Sequence, residues 1–316
     1  MSSSKSPTSK AASRRKFLLA AGATGAAAVA MPQVSRAQTV TWKYQSTWPT
    51  KDIFHEFAVD YAKKVNDMTG GRFKLDVLAA GAVVPAFQMA DAVHSGILEA
   101  GHGVCAYWYG KNKAYSLFGT PPSFGWDAHS FLSWFYAGGG EALYKELVND
   151  ILKVNTVGFL YFPMPTQPLG WFKKEVKSPE DFKNLKYRTV GLSADLFREM
   201  GAAVTILSGG EIVPAIDRGL LDAAEFNNPS SDILLGFPDV SKFYMVQSNH
   251  QQCEQFEIIF NKAKFNAQPA EIQSITVFSA GLHTKASSPD AARALIKFLT
   301  APEAAAALKR HGMDPG

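Results

Sequence analysis

The sequence predicts an α/β fold of two lobes, and three observations carry that expectation. Strand-like and helix-like patterns alternate as βαβαβ over residues 39–104, which indicates a mainly parallel sheet with ligands at its C-terminal strand ends. With residues 1–37 set aside as a leader, 279 of the 316 residues remain, room for two lobes or one large domain. Residues 157–162, a fully apolar strand, and the strands at 242–247 and 256–261 are long enough to pass from one lobe to the other.

The leader is read from Ser13-Arg14-Arg15-Lys16-Phe17-Leu18-Leu19, a twin-arginine pattern. An Ala/Gly-rich apolar run to Met31 and a small-x-small site at Ser35-Arg36-Ala37 follow. That run is too short to span a bilayer, so it reads as a cleaved export signal and places the mature chain in the periplasm. Gly22-Ala23-Thr24-Gly25 follows no strand, which excludes a nucleotide loop. Six of the 32 Lys/Arg lie in the leader and none of the 28 acids does, so the mature chain carries 26 basic residues against 28 acidic. Such a balance leaves no footprint for nucleic acid or an anionic membrane. Cys105 and Cys253 are too few for a disulfide framework; they read as buried free thiols, although an oxidising compartment would let them pair.

Along the mature chain, residues 39–46 alternate as a strand, and Phe54, Phe57, Ala58, Tyr61 and Val65 mark a helix stopped at Gly70-Gly71. Residues 72–78 form a strand, 87–96 a helix and 98–104 a buried strand. Three aromatics then follow, Tyr107-Trp108-Tyr109, of which at least one must leave the core for a crevice. Helices are expected at 128–136 and 141–152, then the strand at 157–162. Ser178-Pro179 caps a helical turn. Residues 185–188 form a strand, with Gly191 as the turn and Ser193 as the N-cap of a helix at 194–200. A strand at 203–207, a helix at 210–218 and strands at 222–226, 242–247 and 256–261 complete the pattern. The lobes are assigned as 38–158 with 226–255, and 159–225 with 256–316.

Arg188 stands at a strand-to-helix junction, where its planar fork can meet a carboxylate beside helix N–H groups. Alone, such an Arg reads first as a surface Arg in a helix-start salt bridge. The seven histidines, His55, His94, His102, His129, His250, His283 and His311, show no metal-ligand spacing. No Gly-x-Ser-x-Gly elbow or phosphate loop is present, so an enzyme is not expected.

Several segments resemble one family when taken in order. They are Glu99-Ala100-Gly101-His102 with Tyr107-Trp108, then Gln167-Pro168-Leu169-Gly170-Trp171-Phe172, then Tyr187-Arg188 with Gly191 and Gly201-Ala202. Pro214-Ala215-Ile216-Asp217-Arg218-Gly219 with Asp222-Ala223-Ala224-Glu225-Phe226 follows, and then Phe260-Asn261-Lys262. From Val40 to about Ile272 the chain is similar to the substrate-binding proteins of tripartite ATP-independent periplasmic (TRAP) transporters, in the branch that binds 2-oxo acids and related carboxylates.

The resemblance implies a two-lobe periplasmic binding protein of type II-like form, joined by crossing strands. It implies a small organic acid as ligand and TRAP membrane subunits as partners, and it allows a homodimer. Arg188 falls where the family's Arg binds the substrate carboxylate, with Gln167, Tyr107, Trp108, Phe226 and Trp48 as further substrate contacts. Gln167, Glu225, the backbone carbonyl of Phe226 and position 251 fall where some members hold a metal. Such oxygens suit a hard cation. Here Gln251 replaces a carboxylate of metal-binding relatives; one remaining acid, Glu225, favours sodium over calcium, or no metal, and no organic cofactor is implied. Gln251 and Gln252 also read as crossing-strand hydrogen-bonding residues. Trp48, Tyr107, Trp108, Trp171 and Phe226 together favour an apolar pocket with one charged anchor.

The C-terminal segment departs from this pattern. Residues 276–283, Pro289-Asp290-Ala291-Ala292-Arg293, Pro302-Glu303-Ala304-Ala305 and His311-Gly312-Met313-Asp314-Pro315 are similar to the end of molybdate-binding-like ABC-transporter binding proteins. That similarity leaves two alternatives, an ABC-type oxyanion-binding protein and a fusion that does not bind productively.

Overall fold

Strand β1 (Val40–Ser46) buries Trp42 and Tyr44 while Thr41 and Lys43 face out, as alternation requires. In this computed structural model residues 39–121, 125–275 and 297 are described; the segment expected to be an export leader and the tail motifs of 276–316 lie outside the described residues. Asp52 caps helix α1 (Ile53–Met68), its carboxylate accepting from the Phe54 N–H at 2.9 Å. Phe54, Ala58, Ala62 and Val65 form its buried face, and Gly70 and Gly71, both at positive φ, end it as expected. Strand β2 (Phe73–Leu78) returns parallel to β1. Helix α2 (Met89–Ser95) stops at left-handed Gly96, and β3 (Ala100–Val104) is wholly buried. Helix α3 (Ala128–Ala137) precedes α4 (Gly140–Lys145), which continues to Ile151 as a π-helix. Strand β4 (Thr156–Met164) carries a bulge at Phe162, which has φ of 51° and is skipped in the pairing with the strand beside it.

The second half is built from shorter strands. In order come β5 (Gly170–Phe172), β6 (Lys186–Arg188), helix α5 (Ser193–Glu199), β7 (Ala203–Thr205), helix α6 (Gly209–Asp217) and β8 (Ala223–Ala224). Helix α7 (Pro229–Leu235), β9 (Phe243–Met245) and β10 (Glu254–Asn261) follow. Ser208 and Glu211 form a capping box on α6. Ser193 is the first residue of α5 rather than its cap, because its hydroxyl donates instead to the His250 carbonyl.

Two five-stranded sheets result, in the orders β2-β1-β3-β10-β4 and β7-β6-β8-β5-β9. Both are mixed rather than mainly parallel, since β10 runs antiparallel to β3 and β4, and β5 to β8 and β9. The sheets also correct the lobe boundaries: β9 belongs to the second sheet and β10 to the first. All eight residues of β10 are buried, and a position between β3 and β4 pairs both of its edges. The chain passes between sheets at residues 165–169 and 246–253, where the Gln167 N–H donates to the Gln251 carbonyl at 3.0 Å. One buried apolar cluster spans both sheets, with Trp48, Phe54 and Phe256 meeting Trp171, Ile212 and Phe226. Among the described residues no helix is long and apolar enough to cross a membrane, and Cys105 and Cys253 are buried and form no disulfide.

Candidate functional site

Arg188 is the last residue of β6, at the C-terminal edge of the parallel β7–β6–β8 strands. The turn beyond it needs Gly191, at φ of 63°; an added Cβ there would sit 3.0 Å from Ser116 Oγ. Arg188 and Glu225 are 1% and 0% exposed, and Nη1 meets Glu225 Oε1 at 3.0 Å and the Glu225 carbonyl at 2.9 Å. Arg188 Nε donates to the Leu207 carbonyl at 2.9 Å, and the guanidinium lies over the Phe226 ring. Nη2 has no partner, so one edge of the fork is left for an oxygen that the protein does not supply.

Gln167, from the first crossing, brings its side-chain amide to both the Glu225 carboxylate and the Phe226 carbonyl. Half a turn of that amide presents its oxygen in the same place. Gln167, Glu225 and the Phe226 carbonyl then make the all-oxygen donor set that a hard cation takes. Burial pushes the Glu225 carboxyl above its usual range, against the opposing pull of Arg188 and Gln167. A cation held there would restore the charged form. Gln251 is 1% exposed, and neither its amide oxygen nor its nitrogen has a partner.

The first sheet contributes Trp48, packed between His102, Phe54 and Phe256 with its indole N–H unpartnered. Tyr107 lies 6.2 Å from it, ring centre to ring centre. Burial raises the Tyr107 hydroxyl pKa, and the field of Arg188 opposes the rise. Trp108 is corrected out of the site. Its ring joins the core on the other face of the first sheet, and its N–H is taken by the buried Glu257, which also accepts from Tyr144 and Cys105. A surface groove of 430 Å³ runs past Phe57, Phe162 and Val246, yet none of Arg188, Gln167 and Glu225 lines it. The polar cluster is closed over.

Sequence reasoning missed a polar junction beside this site. Asp52, the α1 cap, also accepts from Asn227 Nδ2 at 2.9 Å and Ser231 Oγ at 3.0 Å, tying the first sheet's helix to the chain that follows β8. Asp232 next to it accepts from Trp171 Nε1 at 2.9 Å. Only the cap position of Asp52 was signalled locally. Burial lifts Asp52 to about 6 and Asp232 to about 7. An acid whose pKa is raised in the folded state binds its proton more tightly there, so between about pH 4 and 6 Asp52 lowers stability as pH rises. Thermal melts of Asp52→Asn, which cannot ionise, are expected to show a flatter pH profile over that window. An unchanged slope would remove Asp52 as its source.

Comparison with known proteins adds four findings. Residues 44–285 match the family model described as bacterial extracellular solute-binding protein, family 7. Residues 259–314 match a second model, described as bacterial extracellular solute-binding protein. A monocarboxylate 2-oxoacid-binding periplasmic protein of Nostoc is 37% identical over 236 residues, covering 75% of this chain and 64% of its own length; the chain thus spans less than two thirds of that relative. Two TRAP solute binding protein structures are similar at 30% identity. One, from Bordetella bronchiseptica, is a mixed occupancy dimer with copurified calcium and picolinate in one site; its TM-score is 0.72, covering 76% of this chain and 70% of the other. The second, from Pseudoalteromonas atlantica, holds sodium and pyruvate at a TM-score of 0.70, covering 76% and 71%.

Proposed function

Since the chain belongs to the bacterial extracellular solute-binding proteins of family 7, we propose that it captures a small monocarboxylate in the periplasm and delivers it to TRAP membrane subunits. The observation that carries this reading is the unpartnered Nη2 of Arg188, buried beside Gln167, Glu225 and the Phe226 carbonyl. The ligand carboxylate takes the free edge of the guanidinium, and Trp48, Tyr107 and Phe226 enclose its apolar part. Gln167, Glu225 and the Phe226 carbonyl, with Gln251 alongside, are the residues that would hold a bridging cation. The cation supplies positive charge to a second ligand oxygen. One formal acid among these residues favours sodium over calcium. Capture needs only a higher affinity of the closed lobes than of the open ones, with no bond made or broken.

A thermal-shift screen of the mature chain against small organic acids, with sodium, calcium or chelator, tests the reading. Carboxylates are expected to raise the melting temperature, and molybdate is not. Stabilisation by molybdate alone would instead favour the ABC-type oxyanion binder, which rests on the resemblance of the C-terminal sequence motifs. Glu225→Gln is expected to remove any dependence of carboxylate affinity on the cation. If wild-type affinity is the same in sodium, calcium and chelator, the cation is not part of the site.

A further inference from the structure

Five acids are buried among the described residues: Asp52, Glu225, Asp232, Glu254 and Glu257. Four have partners. Asp52 and Asp232 accept from the polar junction, Glu225 from Arg188 and Gln167, and Glu257 from three donors. The Glu254 side chain, 7% exposed, has neither a hydrogen bond nor an ion pair among the described residues. Leaving such a group unpartnered destabilises the free protein. A binding site can bear that cost where the ligand brings the missing partner.

Its position fits that role. Glu254 opens β10, opposite Met164 on β4. Strand alternation sets it on the same face as Phe256, whose ring lies 5.1 Å from Trp48, so it faces the cluster between the sheets. Glu257 lies on the opposite face, toward Trp108 and Tyr144. The charged and titratable groups whose fields reach Glu254 or its surroundings are Glu225 and Arg188 from the second sheet, Asp52 at the α1 cap, and Tyr107 after β3.

We propose that Glu254 is a specificity-determining residue that accepts a hydrogen bond from a hydroxyl or ammonium group of the bound acid. This rests on the carboxylate reading above and narrows it. A 2-oxo acid offers that wall only acceptors, whereas a 2-hydroxy or 2-amino acid offers a donor and satisfies Glu254. Arg188 Nη2 and Trp48 Nε1, both unpartnered, point to the complementary half of the ligand, its carboxylate oxygens. Burial and the nearby Glu225 push the Glu254 carboxyl up to about 8, as expected where the compensating donor is missing.

Calorimetry of the mature chain with matched acids tests the assignment, using lactate against pyruvate and 2-hydroxyisovalerate against 2-oxoisovalerate. At about pH 9, where Glu254 is ionised and can only accept, wild type is expected to bind each hydroxy acid about tenfold or more tightly than its oxo partner. Glu254→Leu is expected to reduce that ratio to within about twofold, while keeping the oxo-acid affinity and raising the melting temperature of the free protein. Retained oxo-acid binding separates a lost donor contact from a damaged fold. Equal wild-type affinities, or a ratio unchanged in Glu254→Leu, would overturn the role of Glu254 and leave the carboxylate reading standing. If Glu254→Leu does not fold, Glu254→Gln gives the ratio instead. If none of the four acids binds wild type, the carboxylate reading and this inference fall together.

Discussion

Replacing Arg188 with leucine is expected to abolish carboxylate binding and to destabilise the fold by about 3–5 kcal/mol, the range for breaking a buried ion pair from one side. Both losses have the same origin. Glu225 is fully buried, and without Arg188 its carboxylate has no countercharge; the Leu207 and Glu225 carbonyls also lose their donors. Arg188→Lys separates charge from geometry. It keeps a cation near Glu225 but cannot hold Leu207, Glu225 and a ligand carboxylate at once, so binding is expected to weaken by about 2 kcal/mol. Adding Glu225→Leu to Arg188→Leu is expected to recover part of the stability, because the stranded charge goes too. Thermal melts and calorimetry read these effects. A melting temperature within a degree of wild type in Arg188→Leu, with carboxylate affinity intact, would sink the anchor.

How far this was legible in the sequence depends on the range of the signal. Gly70-Gly71 after the first helix is local punctuation and marks the boundary found there, whereas the helix expected to 96 stops one residue earlier, at left-handed Gly96. The meeting of Gln167, Arg188 and Glu225 is non-local; nothing in the spacing of these residues brings them together, and only the ordered family segments did. The expectation that at least one of Tyr107-Trp108-Tyr109 leaves the core is met by Tyr107 and Tyr109, both partly exposed, and not by Trp108, because residues 105–108 form a 3-10 turn that swings successive side chains to different sides. The buried Glu257 that claims Trp108 comes from a strand about 150 residues later. Placing β10 in the other lobe failed for a related reason. A strand pattern does not declare which sheet it completes, and Glu254, Gln255, Glu257 and Asn261 do not declare burial for β10 either. Starting that strand at Phe256 also hid Glu254, whose burial depends on strands β3 and β4 on either side.

Gly170 carries the other large expected effect. It opens β5 at φ of 114°, and a Cβ built there would lie 2.3 Å from the Ala224 carbonyl oxygen and 2.7 Å from Glu225 Cα. Those are backbone atoms of the strand that delivers Glu225, so they cannot rotate away as a side-chain tip can. Gly170→Ala must therefore both hold alanine in a region that L-residues avoid and push β8 off β5. A loss of about 3 kcal/mol or more is expected, combining backbone strain with overpacking. Because the displaced atoms belong to Glu225, carboxylate affinity should fall as well. Gly219, at φ of 73° with nothing within 4 Å of its added Cβ, provides the control for strain alone. Gly219→Ala is expected to cost about 1 kcal/mol and to leave binding untouched. If the two alanine variants melt at the same temperature and bind equally well, close approach of β5 and β8 is not what positions Glu225.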